Sequence, residues 1–292
     1  MKSNKICKKI LALSISSIII SMPIFNSVYA LEAKSLSNNY DLNLMSKYGI
    51  TINERQLLEQ KQSSICNDPN LINSLYSEKG IDLMKIEFQE RFGTENNFKI
   101  VSKNNNVTVE VNGATGEIRT TTLNEEPITI NYFEGIDKMK SSIDRSEKEV
   151  SPRYSLQNYY KSSGPDDLHL KVYVENGKSN KLVARNSKGS SKIYYKSSSS
   201  WNTGNTSILR AEIQSASNNW NGACKALNTA GTKALWNLMA AYVEAGSLNV
   251  PAVTIQAVLG TMGVATNLAT AATRAANYLI DVNQANNAYS KL

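Results

Sequence analysis

The sequence is poor in the residues on which many enzyme and metal sites depend. Its 292 residues include one histidine and three cysteines. A single histidine excludes zinc sites with paired histidines and proton shuttles built from two imidazoles. Six prolines and fifteen glycines exclude collagen-like and proline-rich architectures. With 41% hydrophobic and 20% charged residues the chain can build a substantial core, and its length predicts about two domains.

Sequence motifs for catalysis and nucleotide binding are also missing. The chain contains no HExxH, no GxSxG, no GxxxxGK[ST] and no CxxC. The acidic pairs Asp166-Asp167 and Glu125-Glu126 are sequence neighbours, whose side chains usually point apart, so a glycosidase pair is not indicated. His169 lies in an alternating strand pattern without an Asp–His–Ser context. We therefore predict a protein that is not an enzyme, without a cofactor, a metal site or a nucleic-acid partner.

The first thirty residues have the pattern of a secretory signal peptide. Four lysines precede an uncharged apolar run from Ile10 to Met22. Val28-Tyr29-Ala30 then places small residues at the −3 and −1 positions of a signal-peptidase cleavage site. The run is too short to cross the roughly 30 Å of membrane hydrocarbon comfortably. We expect residues 1–30 to be removed and the remainder to be secreted into the extracellular space; the alternative is an uncleaved N-terminal anchor.

Charge is divided unevenly beyond the signal peptide. Residues 31–152 carry a net charge of −5, and the residues that follow carry +8. Such a split predicts that the two parts differ in role or dock onto each other. We predict an acidic helical and β-hairpin domain over 31–150, a Ser-, Gly- and Pro-containing linker over 151–166, and a basic domain over 167–292. One hypothesis is that the first domain is a pro- or inhibitory domain, which masks the basic domain until a processing protease cuts near residues 151–153.

Hydrophobic periodicity predicts an α+β fold. N-terminal helices, such as the amphipathic stretch 81–92, precede a β-hairpin sheet over 97–133. A small antiparallel sheet over 167–201 is followed by a C-terminal apolar helical hairpin or bundle, whose last helix is predicted to run from Pro251 towards Tyr289. The hairpin sequence VNGATGEI, after its helix, resembles secreted inhibitory modules of the PepSY kind.

The C-terminal helices contain an unusually long stretch without charge. From Ala245 to Thr273 there are 29 consecutive uncharged residues, many of them small. One interpretation is the buried core of a helical bundle, and Thr, Asn and Gln within the stretch favour it. The other is a membrane-insertable hairpin broken at 246–251. The residues predicted to insert are Leu248, Val253, Ile255, Val258, Leu259, Met262, Val264 and Leu268.

The layout resembles a family of secreted bacteriocins. A signal peptide, an acidic first half, a Ser-rich strand segment and the C-terminal sequence ATNLATAATRAANYLIDVNQANNAY look like the large geobacillin-type bacteriocins. The likeness covers residues 201–289 and is looser upstream. The resemblance implies a secreted, ribosomally made antibacterial protein, for which an immunity protein is a candidate partner.

Our leading hypothesis is therefore a bacteriocin-like toxin that acts at an anionic membrane or cell envelope. Lys188, Lys192 and Lys196 are the residues predicted to steer it there. The alternative is a non-catalytic cell-surface or cell-wall-binding protein. Its tyrosine pairs Tyr159-Tyr160 and Tyr194-Tyr195, with Trp201, would form the binding platform.

Two cysteines remain after the signal peptide. Cys66 and Cys224 are a candidate disulfide, because secreted proteins fold in an oxidising environment. The other possibility for Cys224 is a buried free thiol, since it lies close to the apolar stripe of a predicted helix.

Overall fold

The computed structural model describes residues 40–64, 77–143, 154–175, 179–197 and 204–292, and it confirms the α+β fold. Residues Asp41–Leu292 group together as one unit. The described helices are α1 (Leu42–Lys47), α2 (Ile52–Ser64), α3 (Glu78–Phe92), α4 (Tyr132–Ile143), α5 (Gly204–Lys225), α6 (Thr229–Ala245), α7 (Ala252–Thr261) and α8 (Leu268–Ser290). The described strands are β1 (Lys99–Lys103), β2 (Val107–Asn112), β3 (Glu117–Thr122), β4 (Ile128–Asn131), β5 (Ser155–Lys161), β6 (His169–Glu175), β7 (Ser179–Arg185) and β8 (Ser191–Ser197).

Sheet A consists of β1 to β4 in sequence order, all antiparallel. Its strands form where apolar and polar residues alternate, so that Val107, Val109 and Val111 of β2 face the core. The predicted hairpin joins β2 to β3. Its last residue, Gly116, has a φ of +76°, a conformation that glycine adopts without the penalty of a Cβ atom.

Sheet B repeats this topology with β5 to β8, again antiparallel and in sequence order. Leu170, Val172 and Leu182 of the two central strands are fully buried on its inner face. The first strand, β5, lies inside the stretch 151–166 that the sequence predicts as a linker. The strand is mostly exposed and contains a register shift after Leu156, which hides its alternation from sequence analysis.

The C-terminal helices differ from the prediction at one point. α5 and α6 belong to the predicted helical bundle, and Gly246, directly after α6, has the left-handed conformation typical of a helix C-terminus. The predicted long helix from Pro251 towards Tyr289 is wrong, because the chain forms two helices there, α7 and α8. Between them Gly263 has a φ of +77° and Asn267 a φ of +42°, and neither conformation can continue an α-helix.

One hydrophobic core joins the two sheets and the C-terminal helices. α4, from the acidic half of the sequence, packs against α6, from the basic half. At this contact a Cβ atom on Gly135 would lie 2.6 Å from the Ala241 nitrogen, so only glycine permits such an approach. Beside it the amide of Asn237 donates to the Tyr132 hydroxyl at 3.1 Å. The described parts of both predicted domains thus contribute to the same core.

Candidate functional site

Most of the residues predicted to insert into a membrane lie in the protein core. Ile255, Val258 and Leu259 on α7 are fully buried. Leu248, Met262 and Leu268 are partly buried and pack against the same core, and Val264 is buried. Val253 is the exception, at 39% exposed. In this conformation most of the large apolar side chains of the uncharged stretch are therefore part of the core.

The helices of this stretch are also short for a membrane span. α7 has ten residues and is thus about 15 Å long, against roughly 30 Å of bilayer hydrocarbon. Within the described ranges, no helix combines the length and the apolar character needed to cross a bilayer.

Two of the lysines predicted to steer the protein contact the C-terminal ends of helices. Lys188 Nζ donates to the carbonyl of Glu244, near the end of α6, at 3.1 Å. Lys192 Nζ donates to the carbonyls of Tyr289 and Ser290, at the end of α8, at 3.0 and 3.2 Å. A helix C-terminus carries partial negative charge, so both contacts are electrostatically favourable. These lysines tie sheet B to the helices. The Lys196 side chain lies outside what the structure describes.

Several other predictions fall on parts of the chain that the structure does not describe. These are the signal peptide, Cys66, Trp201 and the proposed cleavage site around 151–153. The pairing of Cys66 with Cys224 therefore stays a prediction.

The outer face of sheet B brings together cations and exposed apolar side chains. In an antiparallel sheet, directly paired residues project to the same side, so the register defines this surface. We call it the basic aromatic face. It consists of three rows across the four strands: Leu156, Tyr173, Lys181 and Tyr195; Tyr159, Lys171, Val183 and Ile193; and Lys161, His169, Arg185 and Ser191.

The apolar side chains of this face are concentrated on its two edge strands. On β5, Leu156 and Tyr159 are 52% and 46% exposed. On β8, at the opposite edge, Ile193 and Tyr195 are 56% and 63% exposed. Tyr154, next to β5, extends the aromatic surface, because its ring lies 6.0 Å from that of Tyr195. Exposed side chains of this size, grouped on one face, are typical of interaction surfaces.

The cations lie mostly between these edges, on the central strands. Lys171 Nζ lies 4.9 Å from the centre of the Tyr159 ring, a cation–π arrangement that fixes the ammonium beside the aromatic group. Lys181 and Arg185 follow on β7, and Lys161 stands at the end of β5. The face therefore presents four positive charges over a small area, with the carboxylate of Glu175, at the end of β6, on the same side of the sheet.

His169 does not add to this charge at neutral pH. Its side chain is buried edge-on against the Tyr159 ring, at 5.8 Å between ring centres. Burial, with the nearby charges of Arg185 and Lys161, lowers its pKa to about 4. The imidazole is therefore neutral at pH 7, and its position supports the strand pairing.

A buried carboxylate fixes the loop between β5 and β6 to α8. Asp166 accepts a hydrogen bond from the Tyr278 hydroxyl at 2.6 Å and another from the Leu168 backbone at 2.7 Å. Burial raises the pKa of Asp166 to about 6, although the hydrogen bonds oppose the shift. A Cβ atom on Gly164 would lie 2.4 Å from the Tyr278 ring, so the loop lies directly against the helix. This contact holds the basic aromatic face in a fixed orientation on the core.

Only part of this surface was predicted from the sequence. The tyrosine pairs were predicted to act together, but the strand alternation divides them: Tyr159 and Tyr195 lie on the outer face, whereas Tyr160 and Tyr194 face inward. The four cations were not predicted as a group. The sequence pattern that could have identified them is their alternation with apolar residues: Lys171, Lys181 and Arg185 each stand next to a residue that is buried in β6 or β7.

No second type of site emerges from the described residues. Among them, no group of three His, Cys, Asp or Glu side chains is arranged to hold a metal ion. Comparison of the chain with protein-family models, with curated proteins and with solved structures finds no match in any of the three.

Proposed function

We propose that the protein is a secreted, non-catalytic protein that binds the anionic envelope of cells through the basic aromatic face of sheet B. The observation that carries this proposal is the presence of four cations and exposed tyrosines on one side of a sheet whose other side is buried. Cations attract the phosphates of an envelope, and tyrosines supply contact area with a polar end.

The core supports this function by holding the face rigid. The Asp166 contact and the lysines at the helix ends connect sheet B to the helices on several sides. Binding of this kind needs no rearrangement, because the side chains concerned already lie at the surface. A preorganised surface binds more tightly than one that must first be ordered.

Cell binding by a charge variant tests the proposal. We expect Lys171→Gln combined with Lys181→Gln to weaken sedimentation of the full chain with bacterial cells about 30-fold, since each cation near an anionic surface contributes roughly 1 kcal/mol. The matched control is Lys99→Gln with Lys103→Gln, two exposed lysines on β1 of sheet A. Equal binding by both double variants would refute the assignment of the face.

A second candidate is bacteriocin-like killing by helix insertion. The observation that favours it is the 29-residue uncharged stretch from Ala245 to Thr273. Insertion would require α7 and the start of α8 to leave the core, because their apolar side chains are packed there. Dye leakage from anionic liposomes distinguishes the candidates: surface binding leaves the dye inside, whereas insertion releases it.

A further inference from the structure

The arrangement of side chains on the basic aromatic face indicates what kind of envelope component it contacts. The inference rests on the function proposed above and concerns the same surface. Leu156 on β5 and Ile193 on β8 are more than half exposed at opposite edges of the sheet. Aliphatic side chains make no hydrogen bonds with the hydroxyl groups of a wall glycan, but they gain free energy when they enter a hydrocarbon phase.

The tyrosines and cations fit the same environment. Tyr159 and Tyr195 lie beside these aliphatic residues, and tyrosine is enriched where membrane hydrocarbon meets water. Lys171, Lys181 and Arg185 lie between the two apolar edges. Long cationic side chains can place their alkyl stems against apolar groups while the charge reaches the lipid phosphates.

The basic aromatic face is wide enough to contact an extended surface. Four strands spaced at about 4.8 Å give a face roughly 15 Å wide. The exposed apolar groups lie along its two edges, and at one end the Tyr154 ring, from the β5 side, lies 6.0 Å from the Tyr195 ring on β8, so the aromatic surface also extends across the face.

We propose that the basic aromatic face docks onto the surface of an anionic lipid bilayer. Leu156, Ile193 and Tyr195 then lie at the boundary between headgroups and acyl chains, and the central cations lie among the phosphates. The C-terminal helices stay in the core. The protein would thus bind a membrane without spanning it.

A tryptophan reporter tests this geometry in the full chain. Tyr195→Trp places an indole at the edge of the face, and Thr121→Trp places one on the exposed side of β3 in sheet A as the control. The background emission is taken from the unsubstituted chain. With vesicles of phosphatidylglycerol and phosphatidylcholine, we expect a blue shift and quenching by brominated acyl chains for the first variant alone. Vesicles of phosphatidylcholine alone should give neither signal.

A second pair of variants measures the apolar contribution. We expect Leu156→Ser with Ile193→Ser to weaken binding to the anionic vesicles at least ten-fold. Ile100→Ser with Leu123→Ser, equally exposed aliphatic residues of sheet A, should leave it unchanged. Both pairs lie at the surface, so folding is retained and circular dichroism verifies it.

The outcomes separate this inference from the function on which it rests. If the protein sediments with cells and isolated walls but the Tyr195→Trp signal does not respond to anionic vesicles, the ligand is a wall polymer and the lipid inference is wrong. If neither cells, walls nor vesicles bind, both proposals fail. Quenching of both tryptophan variants would also overturn the inference, because sheet A would then contact the lipid as well.

Discussion

The two sheets have the same topology and different outer faces. Each is a four-stranded antiparallel meander with one side in the common core. On the outer face of sheet A, Glu110 and Arg119 approach to 3.9 Å, and the Arg119 guanidinium lies 4.1 Å from the Phe98 ring centre. Thr121 and Thr129 fill neighbouring outward positions. That face is neutral in balance, whereas the corresponding face of sheet B carries four cations and exposed tyrosines.

The difference shows which positions the fold constrains. Inward positions in both sheets are mostly Val, Ile and Leu, because burial of apolar area stabilises the fold. Exposed outward positions are not under this requirement, so their charges and tyrosines are available for roles other than packing. Variants of the two sheets therefore serve as controls for each other.

The largest expected effect comes from the inner faces, where the sheets should behave alike. Ile118→Ala in sheet A and Leu182→Ala in sheet B each remove methyl groups from a fully buried site. We expect each to lower the free energy of unfolding by about 2 to 5 kcal/mol. Urea unfolding measures this. Because one core contains both residues, both variants should shift the same transition; two transitions, each moved by one variant, would contradict the shared core.

A somewhat smaller effect should distinguish the sheets by pH, because Asp166 anchors sheet B. Its pKa is raised from 3.8 in the unfolded chain to about 6 in the fold. Between these values the unfolded chain releases a proton that the folded protein keeps, so the Asp166 contribution to stability falls by about 3 kcal/mol as the pH rises from about 4 to 6. The lowered pKa of His169 acts in the opposite direction over this range, so the Asp166 contribution is measured as the difference between the unsubstituted chain and Asp166→Asn. Above pH 6 this contribution is constant.

Two variants check the origin of this pH dependence by urea unfolding at several pH values. Asp166→Asn should remove it, since the amide does not titrate. Tyr278→Phe should raise the pKa of Asp166 in the folded protein further, so that its contribution changes up to a higher pH. The reason is that in the unsubstituted chain the hydrogen bond from the Tyr278 hydroxyl favours the ionised carboxylate. An unchanged pH profile in Asp166→Asn would show that other groups are responsible.

The smallest effect concerns two lysines on neighbouring strands of sheet B. Lys192 reaches the C-terminus of α8, whereas Lys181 lies on the basic aromatic face. We expect Lys192→Gln to lower the free energy of unfolding by about 0.5 to 1 kcal/mol, and Lys181→Gln to change it by less than about 0.5 kcal/mol. Envelope binding should show the opposite ranking. If both lysines affect stability and binding equally, their assignment to different roles is wrong.

Local patterns were sufficient to predict much of the fold. The alternation of apolar and polar residues is visible in β2, β3 and β6, and Leu209, Ile213 and Trp220 recur at helical spacing and are buried on one face of α5. These features depend only on period and burial, which neighbouring residues determine together.

Features that depend on residues far apart in the sequence could not be predicted from local patterns. The contact of Lys192 with α8 depends on where the last helix ends, about 97 residues further along the chain. The basic aromatic face exists only because the register places residues from four strands side by side. β5 was missed because its outer residues include Leu and Tyr while its inner ones are partly polar, which conceals the alternation.

Some lysines of sheet B contact helix ends and others lie on the basic aromatic face. This difference has a consequence for purification and for the reversibility of envelope binding. Salt shortens the range of electrostatic attraction from about 10 Å at 0.1 M to about 3 Å at 1 M, and it acts most strongly on exposed charges. Attraction by the basic aromatic face would weaken first, while the hydrogen-bonded contact of Lys192 with α8 persists. A salt wash should therefore weaken attachment to an envelope without unfolding the protein, and lowering the salt concentration should restore the attachment.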